Sequence, residues 1–172
     1  MDCDKFVGKA ITEIRQTIGG DVAISALSGG VDSSTVTALG HRALGERLKA
    51  FFVDSGLMRE CEPEHVVDAF EDIGVHVDLV DAKDEFLAAL KGITDPEEKR
   101  QAVTDVFYSE VFVRLIKETG ARCLLQGTNL TDIEETLAGI KRQHNVLEQL
   151  GIDPEASYGY KVLGLLIESC MV

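Results

Sequence analysis

The chain has 172 residues, of which 45% are hydrophobic and 27% charged, so it suits one globular domain with a real core and not a disordered segment. It carries 30 acidic against 17 basic side chains, a formal net charge of −13. Such a field repels nucleic acid and anionic membrane, and neither is an expected partner. It repels small free polyanions as well, so any site for one here needs a counter-cation and local hydrogen-bond donors.

Cys3, Cys61, Cys123 and Cys170 form no C-x-x-C pair and no zinc spacing with a histidine. Asp2 and Asp4 stand where a signal peptide would carry basic residues, and no apolar run reaches transmembrane length. A cytoplasmic protein with reduced thiols is expected.

In chain order, Phe6, Val7, Ala10, Ile11, Ile14 and Ile18 recur at helical spacing over residues 3–18, and Gly19-Gly20 ends that helix. Residues 22–27 are a nearly continuous apolar run, the pattern of a strand buried on both faces. A turn over 28–33 and a helix over 34–44 follow. A second strand is expected at 50–53, a loop at 54–62, a helix at 64–73 and a third strand at 75–80. A short helix is expected at 84–90. Thr94-Asp95-Pro96-Glu97-Glu98 opens a helix that can run to about residue 119. Residues 123–126 give a fourth strand, 127 to about 155 an irregular stretch, and 160–167 a fifth strand. Strands alternating with helices predict an α/β fold, a doubly wound parallel sheet of about five strands with helices on both faces. In such a sheet the segments after strands one, two and four converge on one crevice.

The segment after the first strand is Ser28-Gly29-Gly30-Val31-Asp32-Ser33-Ser34. Gly29 and Gly30 allow positive φ, which turns successive N–H groups inward as a nest for anionic oxygens. The following helix adds N-terminal donors and partial positive charge, and the three serines add hydroxyls. Asp32 would repel a phosphate unless it meets Mg²⁺, caps the helix or accepts from the loop backbone. The loop lacks the Gly-Lys-Ser/Thr end of a Walker A motif and the spacing of a dinucleotide fingerprint.

This segment resembles the PP-loop of the ATP pyrophosphatases, whose pattern is S-G-G-x-D-S; these enzymes adenylate an acceptor and release pyrophosphate. Further segments look like the ATP pyrophosphatase subunit of GMP synthetase. They are Phe52-Val53-Asp54-Ser55-Gly56-Leu57-Met58-Arg59, Val80-Asp81-Ala82-Lys83-Asp84, the stretch from Thr94 to Arg100, Gln126-Gly127-Thr128, Asp132, Ile140-Lys141 and His144-Asn145-Val146. The resemblance covers roughly the first 146 residues. It implies that Ser28 to Ser34, Val53, Arg59, Gln126, Gly127 and Thr128 hold ATP. It also implies that Asp32 and Asp132 hold Mg²⁺, and that Lys141 and His144 act with Asp32 in catalysis from a lid over the phosphates.

The chain departs from the family at Thr131, where Pro is usual, and at Gln143-His144, where two histidines are usual. The expected organisation is one ATP pyrophosphatase domain over 1–172, without the family's C-terminal dimerisation domain. The implied reaction converts xanthosine monophosphate, ATP and ammonia into GMP, AMP and pyrophosphate. Ammonia would come from a glutamine amidotransferase subunit or from solution, and a homodimer is an open expectation. Two other readings remain. One is a sulfur-transfer enzyme using Cys61; the other is a module that binds nucleotide without turnover.

Overall fold

A computed structural model describes residues 3–129 and 153–166 of the chain. The expected positions Asp132, Lys141 and His144, and most of the stretch expected to be irregular, lie outside those residues.

The described elements alternate as α1 (Cys3–Ile18), β1 (Ala23–Leu27), α2 (Val31–Leu44), β2 (Leu48–Asp54), α3 (Glu62–Glu71), β3 (Val77–Asp81), α4 (Lys83–Leu90), α5 (Pro96–Asp105), α6 (Phe112–Thr119), β4 (Cys123–Asn129), α7 (Pro154–Tyr158) and β5 (Lys161–Leu166). The strands form one sheet in the order β3-β2-β1-β4-β5, and every pair is parallel. This is the expected α/β architecture. The chain leaves β1 toward β2 on one side, and β4 pairs with β1 on the other, with Ala23 opposite both Leu48 and Cys123. The strand order therefore reverses beside β1, where open parallel sheets leave a crevice at their C-terminal ends.

The period of two along each strand sorts the core into layers. Ile24 of β1 and Leu124 of β4 pack with Phe86, Val106, Tyr108, Phe112 and Leu115 on one face of the sheet. Ala23, Cys123 and Leu125 point the other way, onto Ala10, Ile14, Val36 and Leu39 of α1 and α2. Leu27, Ala50 and Phe52 bury Phe70 of α3. Helices thus cover both faces, which is why β1 reads as apolar except at Ser25.

Several boundaries differ from the expectation, β4 among them, which runs on to Asn129. α2 begins at Val31, because Gly30 already takes the extended N-cap conformation (φ −83°, ψ 159°) and the next residue enters the helix. β2 extends to Leu48 and Asp54, since neighbours pair with it along its length. β3 begins at Val77; the Val75 N–H instead donates to Phe70 O and closes the end of α3. The helix expected over 96–119 is interrupted by a π-helical turn, Val106–Val111, in which the Phe112 N–H donates to Phe107 O. No Gly or Pro between residues 97 and 119 marks it. Among the described residues no helix is long and apolar enough to cross a membrane.

A buried polar pair ties β1 to α2: the Ser25 and Thr37 hydroxyls lie 2.7 Å apart, with Ser25 1% exposed and Thr37 fully buried. Thr37→Val keeps the shape and deprives Ser25 of this partner. Leaving a buried hydroxyl unpaired costs about 1–3 kcal/mol. Urea unfolding of Thr37→Val is expected to show a loss of that size; a change below about 0.5 kcal/mol, the range of innocuous surface substitutions, would show the pair to be dispensable.

Candidate functional site

The turn from β1 into α2 is held by its own hydroxyls. Ser33 Oγ accepts from the Ser28 N–H at 3.1 Å, lies 3.1 Å from Ser28 Oγ, and donates to Gly30 O at 3.1 Å. Ser33 therefore shapes the loop that it was expected to serve as a ligand donor. The first helical bond of α2 runs from Ser34 N to Gly30 O. The N–H groups ahead of it are those that helix geometry turns outward, with the positive end of the helix dipole behind them.

Only one of the two glycines takes positive φ. Gly29 does, at 75°, whereas Gly30 is extended, because the residue entering a helix occupies the β region. The two-glycine nest expected from the sequence is thus a single left-handed residue followed by a helix N-terminus. Asp32 does not cap the helix: the N-cap is Gly30, and no side-chain cap bond is made.

A cleft of about 250 Å³ opens between this loop and the C-terminal ends of β1, β2 and β4. Ser28, Gly30, Val31, Asp32, Ser33, Val53, Gln126 and Gly127 all line it, so the sheet brings together residues from three separated motifs. Its opposite wall is apolar, with Met58, Phe107, Tyr108 and Phe112. A polar lip of backbone donors against an apolar wall suits a ligand with a charged end and a flat aromatic end.

Gly127 explains how the loop and β4 come so close. A Cβ on it would sit 2.8 Å from Asp32 C and 3.0 Å from Asp32 O and Ser33 N, atoms of the helix backbone that cannot step aside. Because side chains alternate along β4, Gly127 faces α2 while Gln126 faces the π-helical turn. There the Tyr108 hydroxyl donates to Gln126 Oε1 at 2.8 Å, and Gln126 Nε2 donates to Thr128 Oγ1 at 3.3 Å. Tyr108 is 1% exposed, and its burial pushes the phenol well above its ordinary range, so it acts as a neutral donor.

The loop after β2 is pinned from below. Asp54 accepts from the Gly56 N–H at 2.9 Å and from Lys83 Nζ at 3.0 Å. Burial acts to raise the Asp54 carboxyl, but the Gly56 N–H and Lys83 outweigh it and hold it below the ordinary carboxylate range. Lys83 is in turn raised, by Asp54 first and then by Asp81. The pinned loop delivers Glu62 to the turn between β1 and α2. Glu62 Oε2 accepts from the Arg59 N–H at 3.0 Å, and a Cβ on Gly29 would lie 2.8 Å from Glu62 Oε1.

The remaining expected residues among those described fall outside the cleft lining. Gly29 and Ser34 support the turn, and Thr128 is buried beneath Gln126. Arg59 is exposed and does not line the cleft; its described contact is made by its backbone. Cys61 is exposed at φ 59° as the N-cap of α3 and does not line the cleft either. The wall of Met58, Phe107, Tyr108 and Phe112 was not foreseen from the sequence, and neither was Glu62. The spacing of Tyr108 and Phe112 marks an inward helix face, but not which strand residue that face meets.

Comparison with known proteins agrees with this geometry. A family model described as asparagine synthase matches residues 14–129. The chain is 52% identical over 146 residues to a glutamine-hydrolyzing GMP synthase subunit of Archaeoglobus fulgidus, an alignment covering 85% of this chain and 47% of that protein. It is 52% identical over 144 residues to the like-named protein of Pyrococcus furiosus, with 83% and 46% covered, and 47% identical over 157 residues to that of Methanopyrus kandleri, with 89% and 50% covered. The chain thus spans about half the length of the curated relatives it matches. Among solved structures, the NH3-dependent NAD synthetase from Campylobacter jejuni has the same fold, with a TM-score of 0.69 at 19% identity over 86% of this chain and 64% of that one. The S-G-G-V-D-S turn after β1, the crevice at the reversal of strand order and the match over residues 14–129 lead to one assignment: the chain belongs to the asparagine synthase family, the PP-loop ATP pyrophosphatases.

Proposed function

We propose that this chain is the ATP pyrophosphatase part of a GMP-synthetase-type ligase. Its single ATP pyrophosphatase domain would adenylate xanthosine monophosphate with release of pyrophosphate. Ammonia then attacks the activated carbon and displaces AMP, giving GMP. The observation that carries this reading is the cleft itself: the turn at the N-terminus of α2 lines it together with apolar side chains, in a chain about half identical to archaeal proteins named for that activity.

The roles divide along the cleft. Backbone donors of the turn from Ser28 to Ser34 take the polyphosphate, and the wall near Val53 and Met58 takes the base. Gln126 and Gly127 form the floor, Thr128 supports Gln126 through their hydrogen bond, and Arg59 is proposed as a further ATP-binding residue. Asp32 and Asp132 are the proposed Mg²⁺ ligands. Among the described residues no group of three or more His, Cys, Asp or Glu side chains clusters as a metal site. Mg²⁺ binds through one or two carboxylates plus substrate phosphates, the role proposed for Asp32 and Asp132. When bound, the ion offsets polyphosphate charge that an acidic protein would otherwise repel. Lys141 and His144 would close over the phosphates and stabilise charge on the departing pyrophosphate. Ammonia is proposed to come from a separate glutamine amidotransferase subunit, and the protein to act in the cytoplasm as a homodimer.

With ATP, Mg²⁺, acceptor and ammonium, the products are expected to be AMP and pyrophosphate; ADP and phosphate would overturn cleavage between the α and β phosphates. Two loop variants test the site by calorimetry with ATP·Mg. Ser33→Ala removes the hydroxyl that closes the turn and is expected to weaken binding about tenfold, the worth of roughly 1.4 kcal/mol. Gly127→Ala forces β4 away from α2 and is expected to lower stability by about 1–3 kcal/mol and to weaken ATP binding more than Ser33→Ala does. Unchanged affinity in both variants would remove the turn from the site.

A further inference from the structure

The π-helical turn Val106–Val111 lies outside the short motifs by which the sequence resembles the family, yet it supplies a side chain that holds Gln126. The two ends of a glutamine amide are nearly isosteric, so its neighbours decide which end faces which way. Thr128 Oγ1 does not decide, because a hydroxyl either donates or accepts. Tyr108 does. Its phenol is 1% exposed and stands 2.8 Å from Gln126 Oε1, and a buried O–H has to donate. Turning the amide over would set the NH₂ group against that O–H and leave the phenol proton without this acceptor.

Tyr108 is itself held in place. Its backbone carbonyl accepts the Tyr160 hydroxyl at 3.2 Å. Its ring packs edge-on against Phe112, with centroids 5.3 Å apart at 88°, and lies 5.9 Å from Tyr158. Tyr160, just before β5, is also 1% exposed; its hydroxyl bonds the Tyr108 backbone and does not reach the cleft lining.

We propose that Tyr108 is a positioning residue of the nucleotide cleft, fixing through its hydrogen bond to Gln126 Oε1 the direction in which the Gln126 amide meets the ligand. This rests on the cleft being the nucleotide site. The test is calorimetric titration of ATP·Mg into the full chain and into Tyr108→Phe, Gln126→Ala, the double variant and Tyr160→Phe. Tyr108→Phe is expected to bind about fivefold more weakly, the scale of one net hydrogen bond. The double variant is expected to bind like Gln126→Ala alone, because Tyr108 acts through that side chain. Tyr160→Phe removes a hydrogen bond of the same cluster but keeps the Tyr108 phenol; it is expected to lower the melting temperature and leave affinity unchanged.

Tyr108→Phe binding within twofold of the unmodified chain, losses that multiply in the double variant, or an equal loss of affinity in Tyr160→Phe would each overturn the positioning role while leaving the nucleotide site intact. No binding by the unmodified chain would overturn both. The Gln126 side-chain amide gives a second reading that needs no ligand. Its ¹⁵N-detected NH₂ pair is expected to shift in Tyr108→Phe and to stay in place in Tyr160→Phe, and an unmoved pair in Tyr108→Phe would also overturn the role.

Discussion

The close approach of Gly127 to the first turn of α2 is the contact on which the site depends. A strand and a helix N-terminus meet there with no side chain between them, at a distance that a Cβ would bring within 2.8 Å of the helix backbone. Without that approach the S-G-G-V-D-S turn would be an ordinary strand-to-helix connection. With it, the donors at the head of α2 face a floor made by β4, and a cleft with two unlike walls results. The sheet topology makes the meeting possible, because β1 and β4 are parallel neighbours where strand order reverses.

The surrounding devices keep that meeting rigid. The Ser25–Thr37 pair locks α2 to β1 beneath the turn, and Ser33 closes the turn on itself. On the other side, Lys83 and Gly56 fix Asp54 at the end of β2, so the loop carrying Met58 and Glu62 leaves the sheet in a defined direction. Tyr108 braces the floor from the π-helical turn. Catalysis that relies on positioned donors needs such rigidity, since donors already aimed at developing charge cost no reorganisation. In a chain of net charge −13, that precision has to be local, because the long-range field opposes an anionic ligand.

Glu62 adds a tension to the same place. Its carboxylate rests against Gly29, the single left-handed residue of the turn, and is tethered by the Arg59 N–H. Cys61 before it takes a left-handed conformation that a residue with a Cβ seldom adopts. A strained residue placing an acid beside the proposed anion-binding turn is the kind of local conflict found where a fold serves a ligand as well as its own stability.

The amino-acid sequence by itself determined most of the element order, the parallel sheet and the place of the S-G-G-V-D-S turn between β1 and α2. Strands buried on both faces are apolar runs, helices start at Pro and acids, and a Gly-Gly-x-Asp-Ser turn between them is a local pattern. It also marked Val53, Gln126 and Gly127 as partners of that turn, through motifs of familiar spacing. What only the tertiary structure decided were relations between distant residues. Gly127 is required because of where Asp32 and Ser33 lie, and Gly30, extended as an N-cap, owes its place to helix entry instead of left-handed backbone. Tyr108 meets Gln126 across 18 residues through a turn that no Gly or Pro announces. Local propensity is written residue by residue, whereas a close approach or a buried hydrogen bond exists only once packing has chosen which faces meet.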